Sequence, residues 1–336
     1  MEDRKMKHTN DDLRQMQSLP LQAKVMMTKR RIQDWYDYWG GQVYLSFSGG
    51  KDSTVLLDIL QKTSGVYDVP VVFADTGLEY PEVRMFATAR ADVVLRPEMR
   101  FDRVLATYGY PIISKEVSKK ISEARRGWPS AMKAFAGKNA DGSESKFRQR
   151  FKKYAQLIDT DFKVSAQCCD EMKKKPFKKY EKETGRKPIL ATMACESRLR
   201  ATAWMRNGCN AFAANRAVST PMAFWTEQDV LAYIKENDLE IARVYGDVAT
   251  KDNRLVTTGC QRTGCIFCPF GCHMDKEPRF QRLKETHPKQ WAFCIGGGEY
   301  NEDGKWEPSK QGLGLGHVFD ELNTIYGENF IQYGKD

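Results

Sequence analysis

The sequence predicts an α/β fold with a doubly wound, mostly parallel sheet, a basic helical insertion and a Cys-rich C-terminal region. Two strand endings carry that prediction. The first strand pattern, QVYLSF, runs into the Gly-rich SGGKDS and then into the helical pattern TVLLDILQK, giving strand, tight loop and helix in order. The second, VPVVFAD, stops at Asp75-Thr76-Gly77 and leads past Pro81 to the helical composition of EVRMFATARA and a third short strand, DVVL. Strands that alternate with helices pair in parallel, and sites in such sheets lie at the strands' carboxyl ends. Both SGGKDS and ADTG fall there.

Each remaining element follows from local pattern. Residues 21–39 place Val25, Ile32, Trp35, Tyr36 and Trp39 at near-helical spacing, and Gly40-Gly41 stop the run. From about 114 to 187 the chain turns basic and is broken by Gly and Ser, which predicts a helical insertion with a loop near 137–146. The sheet resumes at PILATMA, followed by the helix ESRLRATAWMRN. WTEQDVLAYIKEND reads as a helix capped by Thr226, with Val230, Tyr233 and Ile234 on one face. From about 255 onward little periodicity is evident. The expected organisation is a helical lead-in over 1–40, a nucleotide-binding domain over 41–254 that contains the insertion, and a Cys-rich region over 255–336.

Composition narrows the function classes. The 336 residues are 41% hydrophobic and 11% aromatic, which excludes a disordered chain. A formal charge of +9 favours polyanionic partners such as nucleotides and nucleic acid. No apolar run is long enough to span a bilayer, and the N-terminus lacks a secretory signal, so the expected location is the cytoplasm, without a membrane partner. In that reducing compartment nine cysteines read as metal or cluster ligands before disulfides. Cys195 and Cys209 are expected to be small buried hydrophobes instead.

The loop SGGKDS has the chemistry of a phosphate cradle. Gly49 and Gly50 let the backbone approach an anion, the N–H groups of the following helix point at it, and Lys51 adds a mobile charge. Ser48 and Ser53 can donate hydrogen bonds, and Asp52 can position the loop or a magnesium ion. The spacing is not that of the Walker loop, which needs four residues between its first glycine and Gly-Lys. Among the cysteines, Cys168-Cys169 with Cys265 and Cys268 of a distant CxxC could complete four thiolates on one centre. Cys260, Cys265, Cys268 and Cys272 form a competing local set, able to hold zinc or a cluster, with Cys294 in reserve.

SFSGGKDSTVLL together with FADTGLEYPEV resembles the pyrophosphate-loop (PP-loop) ATPases, and CCDEMKKKPF, CESRLRATAW, WTEQDVLAYI and TGCIFCPFG resemble, in the same order, the sulfonucleotide reductases of that group. The chain is thereby identified as similar to the phosphoadenosine phosphosulfate (PAPS) reductase-like family, with a Rossmann-like sheet of the adenine nucleotide alpha hydrolase type. The resemblance implies that Ser46, Ser48, Gly49, Gly50, Lys51, Asp52 and Ser53 hold an adenine nucleotide's phosphates, and that Asp75, Thr76 and Gly77 lie near its adenosine. It implies a substrate-phosphate role for Glu196, Ser197, Arg198 and Arg200, catalytic roles for Lys51, Asp52 and Arg198, and a 4Fe-4S cluster on Cys168, Cys169, Cys265 and Cys268.

One departure from the family sets the expected reaction. The reductases carry a nucleophilic cysteine in the C-terminal tail, whereas here no cysteine follows Cys294. With Lys51 and Asp52 intact, the leading expectation is an enzyme that uses ATP and Mg2+ to adenylate an acceptor, releases pyrophosphate, and couples this to sulfur transfer as in nucleic-acid thiolation. A sulfur-donor or reductant protein would be its partner, and the basic insertion, with Lys173, Lys174, Lys175, Lys178 and Lys179 together with the cluster from Lys119 to Arg126, could bind a nucleic-acid acceptor. The alternatives are a sulfonucleotide reductase with an internal nucleophile, Cys272 or Cys294, and a non-catalytic nucleotide- or redox-sensing regulator that binds nucleic acid.

Overall fold

The computed structural model describes residues 6–335. Packing groups them into two compact units, each made of two stretches of chain. The first holds the residues up to Arg96 together with Pro176–Ile266, and the second holds Pro97–Lys175 together with the residues from Phe267 onward.

The first unit is built on a six-stranded sheet. Its strands are β1 (Val43–Phe47), β2 (Val71–Ala74), β3 (Val93–Leu95), β4 (Lys187–Leu190), β5 (Asn210–Ala211) and β6 (Val218–Ser219), in the order β3-β2-β1-β4-β6-β5. All neighbours are parallel except β5 and β6. β2 is buried along its whole length and β1 nearly so, as helices on both faces of a parallel sheet require. The chain proceeds from β1 outward through β2 and β3, then returns to place β4 on the opposite side of β1. The crevice between the ends of β1 and β4 is thus the point where strand order reverses, the position at which such sheets hold ligands.

The predicted helices of this unit form close to their expected limits. Leu21–Tyr38 buries Lys24, Thr28, Ile32 and Trp35, and Gly40 and Gly41 end it with φ of +55° and +76°. Glu227–Glu236 opens with the expected cap: Thr226 and Asp229 exchange side-chain-to-backbone hydrogen bonds, and Val230, Tyr233 and Ile234 are buried. Asp229 also accepts a 2.6 Å hydrogen bond from Lys24 Nζ, which is almost fully buried and donates in turn to the Gln17 carbonyl at 2.7 Å. A hairpin not expected from the sequence, Val248–Lys251 with Arg254–Thr257, turns through Asp252 and Asn253, both at positive φ. Gln228 clamps it by bonding both the N–H and the carbonyl of Leu255 at 2.9 Å.

The second unit is largely helical. Its first stretch contains Phe101–Tyr108, Lys115–Arg125, Pro129–Phe135 and Gln149–Lys152, so the insertion is helical as predicted, and the segment near 137–146 is a loop closed by a bridge between Lys138 and Glu144. Arg125 fixes the return of the chain by donating to the carbonyls of Leu157, Ile158, Thr160 and Phe162. Its second stretch contains three helices, Arg279–Thr286, Pro288–Ile295 and Leu315–Tyr326, where the sequence suggested little periodicity. The last of these buries Leu315, Val318, Phe319 and Leu322, a helical spacing hidden among surrounding glycines. No helix among the described residues is long and apolar enough to cross a membrane.

Candidate nucleotide site and cysteine centre

The loop after β1 is shaped by Gly49. Its φ of +71° is disfavoured for side-chain-bearing residues, and a Cβ there would meet the Val83 carbonyl oxygen at 2.8 Å and Ala87 Cβ at 2.9 Å. The backbone therefore lies directly on the helix Pro81–Thr88. Ser48 and Ser53 tie the loop to itself: the Ser48 N–H donates to Ser53 Oγ at 3.3 Å, the two hydroxyls are 3.1 Å apart, and Ser53 Oγ donates to the Gly50 carbonyl at 2.9 Å. Gly50 then begins the helix Lys51–Gln61 with no side-chain cap. An uncapped helix N-terminus behind a glycine loop offers N–H groups and a positive dipole end to an anion.

Lys51 is buried, unlike most lysines, because neighbours of opposite charge surround its ammonium. Nζ lies 3.2 Å from Glu227 Oε1, 3.6 Å from Asp52 Oδ1 and 3.3 Å from the Gln261 carbonyl oxygen. Burial holds the Asp52 carboxyl above its ordinary range, a displacement that Lys51 opposes and that Glu196 and Glu227 add to. Asp52 Oδ1 is buried and makes no hydrogen bond. Tyr245 closes this side of the loop: its hydroxyl accepts from the Lys51 N–H at 3.4 Å and lies 2.5 Å from Thr263 Oγ1.

The step after β4 supplies a second group. Glu196 accepts from the Met193 N–H at 3.0 Å, pairs with Arg200 one turn along, and receives Arg262 at 3.3 Å. Ser197 caps the helix Arg198–Asn207 through the Arg200 N–H. Arg198 is exposed there. Cys209 is buried as expected, but Cys195 is exposed beside Glu196, contrary to its expected burial, because it sits in the short turn that carries the chain off the sheet. Nearby burial and the charges of Glu196 and Asp52 push its thiol up.

At the end of β2, Asp75 is buried and takes a bidentate pair from Arg84, both bonds at 2.7 Å, which holds its carboxyl below the usual range. Thr76 Oγ1 donates to Glu79 at 2.7 Å, and Gly77 turns at φ +72° with no atom within 4 Å of a notional Cβ. Asp75 and Thr76 are thus engaged in shaping this turn, and Gly77, whose N–H donates to Asp75 Oδ1 at 3.3 Å, leaves open space where a side chain would stand. Ser46 is half-buried within β1. Glu227, Tyr245, Gln261, Arg262 and Thr263, all absent from the sequence-based site, complete the surroundings of Lys51.

In the second unit, Cys168 and Cys169 precede a π-helical turn, Asp170–Lys174, a distortion often found at functional positions. A hydrogen bond from Cys168, helped by the ammonium groups of Lys115 and Lys173, pulls the Cys169 thiol down to about 5. Cys268 is raised by burial, with Cys169 close enough to add to the effect. Cys272 is pushed up to about 12 by burial, and fully buried Cys294 goes well above its ordinary value. Among the described residues of this unit, no three thiols lie within 4.8 Å of one another. Cys260 belongs to the first unit, where its carbonyl accepts from Thr257 at 2.8 Å.

The site thus defined is a glycine loop at the reversal point of a mostly parallel, doubly wound sheet. Residues 42–105, which include β1, the loop, β2 and β3, match the family described as "Phosphoadenosine phosphosulfate reductase domain". Among solved structures, the phosphoadenylyl-sulfate (PAPS) reductase of Candida auris, in its phosphate complex, is similar over 70% of this chain and 90% of its own, at 15% identity and a TM-score of 0.35. No curated protein matches.

Proposed function

We propose that the chain is an ATP-dependent adenylating enzyme that activates an acceptor, releases pyrophosphate and couples the step to sulfur transfer. The observation that carries this reading is the intact Lys51-Asp52 pair at an uncapped helix N-terminus in the crevice where strand order reverses. Loop N–H groups and Lys51 would take up the charge that develops on the departing pyrophosphate. To do so Lys51 exchanges Glu227 for a phosphate oxygen, a small movement for a four-carbon side chain. Asp52, whose buried Oδ1 makes no hydrogen bond, and Ser53 would hold a hard cation such as Mg2+, which would supply positive charge against the phosphates. Arg198, exposed at the start of its helix, is free to turn toward the acceptor or the α-phosphate. The open space at Gly77 is the adenosine-facing part of the second strand end.

Cys168, Cys169, Cys265 and Cys268 would hold a 4Fe-4S cluster, which supplies sulfur or electron chemistry when bound. The lysine-supported Cys169 thiol suits a thiolate ligand. Cys272 and Cys294 are buried, so a reductase reaction through either would require the chain to open first. The proposal is tested by supplying ATP, Mg2+ and single-stranded RNA or DNA and assaying for adenylated acceptor. Sulfite release from phosphoadenosine phosphosulfate with thioredoxin, and no adenylate, would replace it with the reductase reading.

A further inference from the structure

The formal charge of this protein is not spread over it. The 39 residues 115–153 contain twelve Lys and Arg against four Asp and Glu, a net +8 of the chain's +9. All lie in the second unit, on the helices Lys115–Arg125, Pro129–Phe135 and Gln149–Lys152 and the loop between the last two. The three helices form one patch: Arg150 pairs with Glu116 at 2.9 Å, Phe135 packs edge-on against Phe151, and the Ser145 N–H donates to the Gly137 carbonyl at 2.9 Å.

Not every cation in this patch is available. Arg125 is spent on backbone carbonyls, Lys120 on Glu123, and Arg148 on the Lys138 carbonyl. Lys138, Lys146 and Lys153 remain exposed. The same segment carries two large apolar rings that the fold leaves in solvent, Trp128 at 48% and Phe147 at 64% exposure. Each is backed by a guanidinium: Arg126 lies 5.2 Å from the Trp128 ring and Arg150 3.9 Å from that of Phe147. Burial would have been the default for both side chains. A cationic surface with exposed rings backed by arginine matches what unpaired bases on a phosphate chain require, namely stacking faces flanked by charge. An acidic protein would use the charge and leave the rings without a role.

We propose that residues 115–153 form a docking surface for single-stranded nucleic acid, with Trp128 and Phe147 stacking on bases and Lys138, Lys146 and Lys153 contacting phosphates. This deepens the function proposed above by naming its acceptor class, and rests on that reading only for turnover, since docking itself needs no ATP.

The test uses the full chain without nucleotide and measures fluorescence anisotropy with labelled single-stranded DNA, single-stranded RNA and duplex DNA of equal length, with poly-glutamate as competitor. The expected result is single-strand binding that weakens steeply with salt, outcompetes poly-glutamate, and falls roughly tenfold in each of Trp128→Ala and Phe147→Ala, with a smaller effect on the duplex. The DNA and RNA arms identify the natural source. Lys146→Glu, an exposed change that leaves both rings in place, should lower affinity for all three nucleic acids and flatten the salt dependence. Circular dichroism confirms folding of each variant. Absence of binding at low salt, affinity unchanged from the parent in both ring variants, or equal displacement by poly-glutamate would overturn the proposal. An inactive adenylation assay alongside intact single-strand binding would fault the ATP reading and leave this surface standing.

Discussion

Asp52 holds its carboxyl in a place that disfavours ionisation. Burial, with Glu196 and Glu227 nearby, raises its carboxyl above the ordinary range, so ionisation costs stability, a cost that grows as pH rises through the unfolded value and is complete above the folded one. Asp52→Asn removes that cost. The variant should therefore be more stable than the parent at neutral pH, with the difference vanishing below about pH 4, where the parent is protonated in both states. Denaturant midpoints across pH would check this, and a variant less stable at pH 7 would contradict it. Loss of Mg2+-ATP affinity in the same variant would mark the strain as functional. Gly49 makes the complementary point through sterics. Gly49→Ala must adopt a disfavoured φ and push against the Val83 carbonyl, which should cost about 1–3 kcal/mol in urea unfolding and displace the loop. Asp75 shows the opposite sign to Asp52. Its pairing with Arg84 depresses its pKa, so the stability it contributes is present above about pH 4 and is lost as pH falls through the folded value. Asp75→Asn should consequently destabilise at neutral pH and converge with the parent in acid.

At the scale of elements, local signals were legible wherever a single pattern decided the structure. QVYLSF-SGGKDS-TVLLDILQK gave strand, loop and helix because an apolar run, two glycines and a second apolar run admit little else. The Thr226 cap was legible from Thr-x-x-Asp preceding an apolar helix face. Its energetic weight was not, because Asp229 also neutralises Lys24, 205 residues away. Thr226→Ala should cost about 1 kcal/mol as a lost cap. Asp229→Ala should cost about 3–5 kcal/mol, since it strands a buried ammonium. Equal costs in thermal or urea unfolding would mean that Lys24 contributes nothing through this pair. The helix Leu315–Tyr326 escaped notice although its apolar residues have helical spacing, because the glycines flanking it suggested loop. The hairpin 248–257 escaped notice because its strands are short and partly exposed.

Across the whole molecule, the nucleotide loop could be read from six consecutive residues, but its surroundings could not. Tyr245, Glu227 and Gln261 reach Lys51 from nearly two hundred residues further along the chain, with Thr263 behind Tyr245, and nothing in the motifs WTEQDVLAYI and TGCIFCPFG pointed Glu227 or Thr263 at the loop. The division into two units was equally hidden. Compactness depends on which stretches pack together, and here each unit takes two stretches of chain, with one boundary inside the CxxC turn itself, between Ile266 and Phe267. The basic insertion was visible as composition, while its separation into spent cations and exposed arginine-backed rings required coordinates. The central claim, that the loop serves to cleave ATP between its α and β phosphates, is tested most directly by measuring pyrophosphate release from ATP with Mg2+ and a single-stranded acceptor, for the parent and for Lys51→Ala. The account predicts stoichiometric pyrophosphate and adenylate from the parent, and a loss of roughly a hundredfold or more in the variant. Release of inorganic phosphate and ADP instead, or equal rates from both proteins, would contradict it.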